Sequence, residues 1–221
     1  MEVTAALRNR KSARAFLDKA VPDEVVTEIL ECARWAPSGA NTQPWHVAVL
    51  TGETKQQLGD AMAKRRTRGE KSQPDYNYYP TKSEEPYISR KHACAHALYS
   101  ALGIERKDIE KRKMQWIKNY HHFGAPVALL FFIDTILEKG SWSDNGMYIQ
   151  TVMLAARGHG LETCPQAALA EYPDVARDLL NIPKSKKLIC GVALGYADYD
   201  DLSYQYRTDR EPVESFTQWY R

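Results

Sequence analysis

The residues best suited to bind a charged ligand lie near the start of the chain. Guanidinium groups bind a phosphate through charge-assisted hydrogen bonds, each worth roughly 1.5–3 kcal/mol before desolvation costs. The pattern therefore indicates a phosphate site, although a solvated basic surface has the same composition. The cluster contains four cations and a hydroxyl within seven residues: Arg8, Arg10, Lys11, Ser12 and Arg14.

A second candidate is segment 36–45, in which small and amide-bearing residues lie between two prolines. Such a loop can approach a ligand closely while presenting donors and acceptors, and the alternative is an ordinary helix-to-strand turn. The side chains of interest are those of Pro37, Ser38, Gly39 and Asn41.

Several common catalytic motifs are missing from the sequence. It has no Walker-type phosphate loop, no three-glycine dinucleotide motif and no Gly-x-Ser-x-Gly nucleophile elbow. His92 and His96 have the spacing of a metal-binding pair on a predicted helix, but no acidic third ligand accompanies them in a recognisable motif. We therefore predict no metal ion.

Composition excludes several classes of protein. The 221 residues are 43% hydrophobic and 26% charged, which is typical of a globular chain. The net charge of +2 predicts no nucleic-acid partner, and no apolar run reaches the length of a membrane span. Residues 1–4 do not resemble a secretory signal, and the four dispersed cysteines suit reduced thiols, so we predict a cytoplasmic protein.

Hydrophobic spacing predicts alternating helices and strands, which favours one α/β or α+β domain over residues 1–221. Segment 64–90 is polar and irregular but rich in tyrosine, as in a lid, and segment 197–221 has the composition of an arm without its own core. We predict helices over residues 22–35, 89–102, 106–121 and 143–157, and strands over 45–50, 125–133 and 188–195. The helix over 143–157 is apolar nearly all round, so it must be covered by a core or by another subunit.

Seven short motifs follow one another along the chain. They are Arg10-x-Ser12-x-Arg14-x-Phe16, segment 36–45, Gly124-Ala125-Pro126-Val127, Asp144-x-Gly146-x-x-x-Gln150, the Gly-Leu-Glu-Thr-Cys-Pro segment at 160–165, Gly191-x-x-x-Gly195-Tyr196 and Arg210-Glu211-Pro212-Val213. Each motif is loose, but their order and spacing resemble the nitroreductase family of flavoproteins. The resemblance covers essentially the whole chain except residues 64–90.

The resemblance implies an α+β sandwich, with a central mixed or antiparallel sheet flanked by helices, that forms an intertwined homodimer. Each site would bind FMN at the dimer interface. Cations at both ends of the chain would hold its phosphate and ribityl chain, and the loop at 37–41 would come from the partner subunit. The cofactor-binding residues would be Arg10, Lys11, Ser12, Arg14, Pro37, Ser38, Gly39, Asn41, Asn119, Pro165, Gln166, Ala167, Ala168 and Arg210.

The same resemblance implies a ping-pong reaction in which NAD(P)H reduces FMN and a nitroaromatic acceptor then reoxidises it. No side chain would be catalytic, and a backbone N–H near Ala167 would face flavin N5. Many relatives carry Glu-Gly where this chain has Gln166-Ala167-Ala168. Backbone donation survives this change, whereas any role of the acidic side chain does not.

Segment 64–90 would act as the substrate lid, and its tyrosines and cations would suit an aromatic acid such as a nitrobenzoate. The alternative for this segment is a surface loop that happens to contain tyrosines. The lid tyrosines are Tyr76, Tyr78, Tyr79 and Tyr87. Two other functions remain open: a reductive dehalogenase of halogenated tyrosine or a halophenol, and a flavin-binding or flavin-fragmenting protein.

Overall fold

The computed structural model describes residues 2–221. Segment 1–4, which does not resemble a secretory signal, begins with Met1, and Met1 lies outside the described residues. Four antiparallel strands form one sheet in the order β1-β2-β4-β3. The strands are β1 (His46–Leu50), β2 (Val127–Asp134), β3 (Glu162–Gln166) and β4 (Lys186–Gly195). Helices cover both faces of the sheet, so the predicted α+β class is confirmed, and the sheet is antiparallel throughout.

The described residues form eight α-helices. They are α1 (Val3–Asn9), α2 (Asp23–Ala33), α3 (Gly52–Thr67), α4 (Tyr87–Ala101), α5 (Ile109–Ile117), α6 (Lys139–Gly158), α7 (Pro173–Leu180) and α8 (Leu202–Gln205). In the same part of the chain, no helix has the length and apolar character needed to cross a membrane.

The core lies on the two faces of β2, whose continuous apolar run is buried on both sides, as predicted. Leu129 and Phe131 belong to the core that α2 and α6 cover, whereas Leu130 and Phe132 belong to the core on the side of α3 and α7. Successive strand residues point to opposite faces, so this uninterrupted apolar sequence supplies both cores.

Five elements were not predicted: α1, α3, α7, α8 and β3. Helix α3 is mostly polar, with Leu58, Gly59, Met62 and Ala63 as its buried residues, and β3 contains Pro165. Neither element has the strong hydrophobic pattern on which sequence-based assignment depends. The predicted lid is also shorter than 64–90, because its first residues lie in α3 and its last in α4.

Helix α6 is longer than predicted and is not covered on every side within one chain. Tyr148, Val152 and Ala156 are buried against the sheet. On another face Met147 is 39% exposed. The sequence predicted that α6 would be covered on every side, and the rest of this chain covers only part of its surface.

A Cβ at Gly191 would come closer to a neighbouring atom than a Cβ at any other glycine of the described chain, so a methyl group there should destabilise the protein. A Cβ would lie 2.1 Å from Leu169 Cδ1 and 3.2 Å from Leu130 Cδ2, and both leucines are fully buried. We expect Gly191→Ala to lower the free energy of unfolding by about 1–3 kcal/mol in a urea titration. Gly140→Ala in α6 is the control, because a Cβ there meets nothing within 4 Å. Equal stabilities of the two variants would contradict this packing argument.

Candidate cofactor and substrate site

A small cavity of about 120 Å³ lies where the two ends of the chain meet. One wall consists of residues between 10 and 14, which come directly after α1. The opposite wall consists of residues between 203 and 210, which begin in α8 and continue beyond it. Five cations line it, and no carboxylate does so among residues 2–221. The lining residues are Arg10, Lys11, Ser12, Arg14, Cys94, Ser203, Tyr206, Arg207, Thr208 and Arg210.

The segment after α1 is fixed to β3 by backbone contacts. Ser12 forms a parallel bridge with Thr163, and the Ala13 N–H donates to the Thr163 carbonyl at 3.0 Å. Ala13 is fully buried, whereas its neighbours Ser12 and Arg14 are partly exposed and line the cavity. Extended backbone places alternate side chains on opposite sides, which explains the Ser12-x-Arg14 spacing.

The C-terminal segment is tied to the N-terminal one by side chains of the cavity itself. Lys11 Nζ donates to the Tyr204 carbonyl at 2.9 Å, and Arg14 Nη1 donates to the Tyr206 hydroxyl at 2.8 Å. Arg207 donates to the Arg8 carbonyl. The two ends therefore form one wall, although almost 200 residues separate them in the sequence.

Among residues 2–221 no acidic side chain lines this cavity. Arg10 is the cation whose environment shows the effect most clearly. Burial, with the nearby positive charge of Arg210 and then Arg207, lowers the pKa of Arg10. Arg10 Nη1 is buried and has no hydrogen-bond partner within the described chain. A bound anion would supply the missing acceptor and offset the repulsion between guanidinium groups.

A buried ion pair supports this arrangement from behind. Arg157 at the end of α6 pairs with Glu162 of β3, whose side chain is fully buried. The Tyr204 hydroxyl donates to Glu162 Oε1 at 3.2 Å. A buried ion pair is costly to break, because the charge that remains is uncompensated. The Tyr204 hydrogen bond connects this pair to the C-terminal segment.

A larger cavity of about 670 Å³ adjoins the first, because Arg14 and Cys94 line both. It lies between α4, α5, the residues that follow β3, and the segment after α3. Six aromatic residues contribute to its walls: Tyr76, Tyr78, Tyr79, Tyr99, Trp116 and Phe123. Pro165, Gln166, Ala167 and Ala168 line it at the end of β3, as does Asn119.

Gln166 presents an unpaired acceptor at this end of the cavity. Its Nε2 donates to the Asn119 carbonyl at 2.7 Å, which fixes the orientation of the amide. Gln166 is 3% exposed, and its Oε1 has no partner in the part of the chain that the structure describes. The site therefore offers a buried acceptor to a ligand N–H, besides the donor groups at the cationic end.

The predicted loop at 37–41 lines neither cavity of this chain. The Gly39 N–H donates to Asp144 of α6 at 3.2 Å, and the loop is otherwise largely exposed. Ala40, Asn41 and Gln43 have φ values of 48°, 55° and 48°, which side-chain-bearing residues seldom adopt. Such strain is common where a loop serves a ligand.

Three of the four lid tyrosines line the larger cavity, and Tyr87 does not. Residue 87 begins α4 and its side chain is exposed, so the role of Tyr87 in the lid stays a prediction. Tyr76 contacts the body of the fold. Its hydroxyl donates to the Ile189 carbonyl at 2.6 Å, and its ring packs edge-on against Trp142.

Several residues of the two cavities were not predicted. At the cationic end, Arg207 lies only three positions before Arg210, and that proximity was a usable signal. In the larger cavity, Tyr99 comes from α4 and Trp116 from α5. These helices lack a strong apolar face, so the sequence did not show which side would line a cavity.

Comparison with known proteins agrees with this geometry. The model of the nitroreductase family matches residues 7–196. A chloronitrobenzene nitroreductase of Comamonas testosteroni is 38% identical over 96% of this chain and 93% of its own, and a 4-nitrobenzoate reductase of Pseudomonas putida is 37% identical with the same coverage. The crystal structure of the FMN and NADPH-dependent nitroreductase NfnB from Sphigopyxis sp. strain HMH superposes with a TM-score of 0.98, 37% identity and full coverage of both chains.

The surplus of cations predicts that inorganic phosphate stabilises the flavin-free protein. At a phosphate concentration tenfold above the dissociation constant, linkage gives about 1.4 kcal/mol, or about 3–6 °C in the unfolding midpoint. Arg10→Ala should remove most of this shift, whereas Arg106→Ala, an exposed position outside the cavity, should keep it. The measurement is thermal unfolding in phosphate and in chloride of equal ionic strength. An equal shift in both salts would refute an anion site.

Proposed function

The chain belongs to the nitroreductase family, and we propose that it is an FMN-dependent oxidoreductase that uses NAD(P)H to reduce nitroaromatic acceptors. One observation carries the proposal: a cationic cavity, lined by no carboxylate among residues 2–221, adjoins a larger cavity that six aromatic residues help to line. A phosphate joined to a planar ring has this distribution of charge and shape.

Two orphaned polar atoms test whether FMN fits. Arg10 Nη1 needs an acceptor, and a phosphate oxygen is one; Gln166 Oε1 needs a donor, and the flavin ring carries an N–H. We assign Arg10, Lys11, Ser12, Arg14, Arg207 and Arg210 to the phosphate end. We assign Asn119, Pro165, Gln166, Ala167 and Ala168 to the ring, with a backbone N–H near Ala167 donating at N5.

Bound FMN would supply the transfer of two electrons from the nicotinamide to the acceptor. The chain's own contribution is binding, orientation and electrostatics. The guanidinium groups hold negative charge at one end, and Asn119 holds the Gln166 amide in a fixed orientation at the other. The aromatic walls limit water around the reacting ring and stack against an aromatic acceptor.

We propose that the active form is a homodimer, in which a second copy supplies the loop at 37–41. This loop lies outside both cavities, although its strained backbone is typical of a ligand-binding segment. The isolated chain also exposes large apolar side chains on its C-terminal arm, and Trp219 is 77% exposed. No residue of α4 is buried. A partner subunit would cover such surfaces.

We propose further that residues 1–221 act as a single FMN-binding domain in the cytoplasm. The sheet, these two cores and both cavities draw on residues from Arg10 to Arg210. All four cysteines are free, as expected in a reducing compartment, where NAD(P)H is also available.

The function is tested by anaerobic spectroscopy of the purified protein. We expect a flavin spectrum that NADPH or NADH bleaches and that a nitroarene restores. A colourless protein that gains no flavin spectrum with added FMN would overturn the proposal. Reoxidation by iodotyrosine but not by nitroarenes would indicate a dehalogenase. Loss of flavin absorbance in oxygen without an acceptor would indicate flavin fragmentation.

Mixing two defective variants tests the shared site. Arg10→Ala removes the phosphate contact from one subunit, and Ser38→Ala/Asn41→Gly removes the loop side chains from the other. In a mixed dimer one site carries both defects and the other is intact, so random exchange should restore about a quarter of the wild-type FMN occupancy. Subunit exchange is checked by native mass spectrometry. Exchange without recovered flavin would show that the loop does not serve the other subunit's site.

A further inference from the structure

We propose that Lys91 binds the carboxylate of the acceptor, so that the enzyme favours nitroaromatic acids over neutral nitroarenes. This inference rests on the proposed nitroreductase function and adds the chemical class of the acceptor. Lys91 lies in the first half of α4 and lines the larger cavity together with Cys94, Ala95, Leu98 and Tyr99. These positions share one face of the helix.

An aromatic cluster holds the Lys91 ammonium group at the cavity wall. Its Nζ lies 4.4 Å from the centroid of the Tyr79 ring. Tyr79 packs edge-on against Tyr78 at 4.7 Å, and Tyr78 lies 6.2 Å from Tyr76. Three tyrosine rings therefore extend from the cation along the wall. An aromatic acceptor can stack on these rings while its charged group meets Lys91.

Lys91 is the cavity charge that remains available to a substrate. The other charged residues of the lining are Arg14 and Glu171. Arg14 donates to the Tyr206 hydroxyl and also lines the cationic cavity. Glu171 accepts from the Tyr120 hydroxyl and lies 3.8 Å from Arg66. None of the ion pairs formed within residues 2–221 includes Lys91.

The position of Lys91 also orients the acceptor. Lys91 is exposed, whereas Gln166 and Ala168, which line the same cavity where β3 ends, are buried. An acceptor with its carboxylate and nitro group at opposite ends of the ring can therefore keep the carboxylate near solvent and direct the nitro group inward. A carboxylate left without a cation in an aromatic cavity would lose solvation without compensation.

Lys91 can pair with an anion on either of two ligands: the carboxylate of an aromatic acceptor or a phosphate of NADPH. A phosphate of NADPH and the carboxylate of an acceptor would both respond to removal of Lys91. The two sources separate in stopped-flow measurements, because the coenzyme acts in the reductive half-reaction and the acceptor in the oxidative one.

The experiment compares 4-nitrobenzoate with 4-nitrobenzamide, which has nearly the same shape but no charge. For the wild-type holoenzyme we expect kcat/KM to favour the acid by about two- to fivefold, the range of an exposed charge pair. Lys91→Met should bring the ratio close to one, mainly through KM, and Lys91→Arg should retain most of it. Lys82→Met is the matched control: it removes a lid lysine that lies outside the cavity lining and should keep the wild-type ratio.

Each outcome decides between the two proposals. If the wild type reduces neither compound, the nitroreductase function fails. If it reduces both but shows no preference, or if the preference survives in Lys91→Met, the function stands and the role of Lys91 is wrong. An effect confined to the NADPH half-reaction also overturns it. Should Lys91→Met fail to fold, the wild type alone decides: benzoate must bind more tightly than benzamide by calorimetry, and added salt must reduce the difference.

Discussion

Repulsion among five positive charges is the constraint on which the site depends. Arg10, Lys11 and Arg14 come from the N-terminal segment, and Arg207 and Arg210 come from the C-terminal arm. In a partly buried space, like charges raise one another's free energy by far more than they do in water. The fold opposes this repulsion without placing a carboxylate in the cavity. We therefore expect the site to favour an anion, and phosphate matches the fork geometry of guanidinium groups.

The stability of the sheet is what keeps the cations together. Backbone pairing between Ser12 and Thr163 extends the edge of the sheet next to β3, and the buried Arg157–Glu162 pair lies on the same strand. Glu162 also accepts from Tyr204 of the arm. The same short strand therefore fixes both chain ends, and its last residues continue into the floor of the aromatic cavity. The proposed phosphate end and the proposed ring end of the site are therefore both positioned by β3.

The two cavities contain most of the predicted cofactor-binding residues, but a single chain leaves large apolar side chains exposed to solvent. Helix α4 contributes a wall of the aromatic cavity while burying none of its own residues. The arm beyond Pro212 is exposed throughout, including Phe216 and Trp219. An apolar surface of this kind is costly in water. The proposed second copy would cover it and bring the strained 37–41 loop to the site, so assembly and cofactor binding would be the same event.

The sequence by itself determined the elements with strong local patterns and the chemistry of the N-terminal cations. The apolar run of β2 and the Arg10-x-Ser12-x-Arg14 spacing could be interpreted locally, because burial on both faces and backbone alternation leave periodic traces. Tertiary structure alone decided which distant residues meet. Arg207 joins Arg10, and Lys91 faces Tyr79, through contacts between elements whose own sequences are polar and unpatterned. A side chain's partners depend on how helices and arms pack against the sheet, and no single segment encodes that packing.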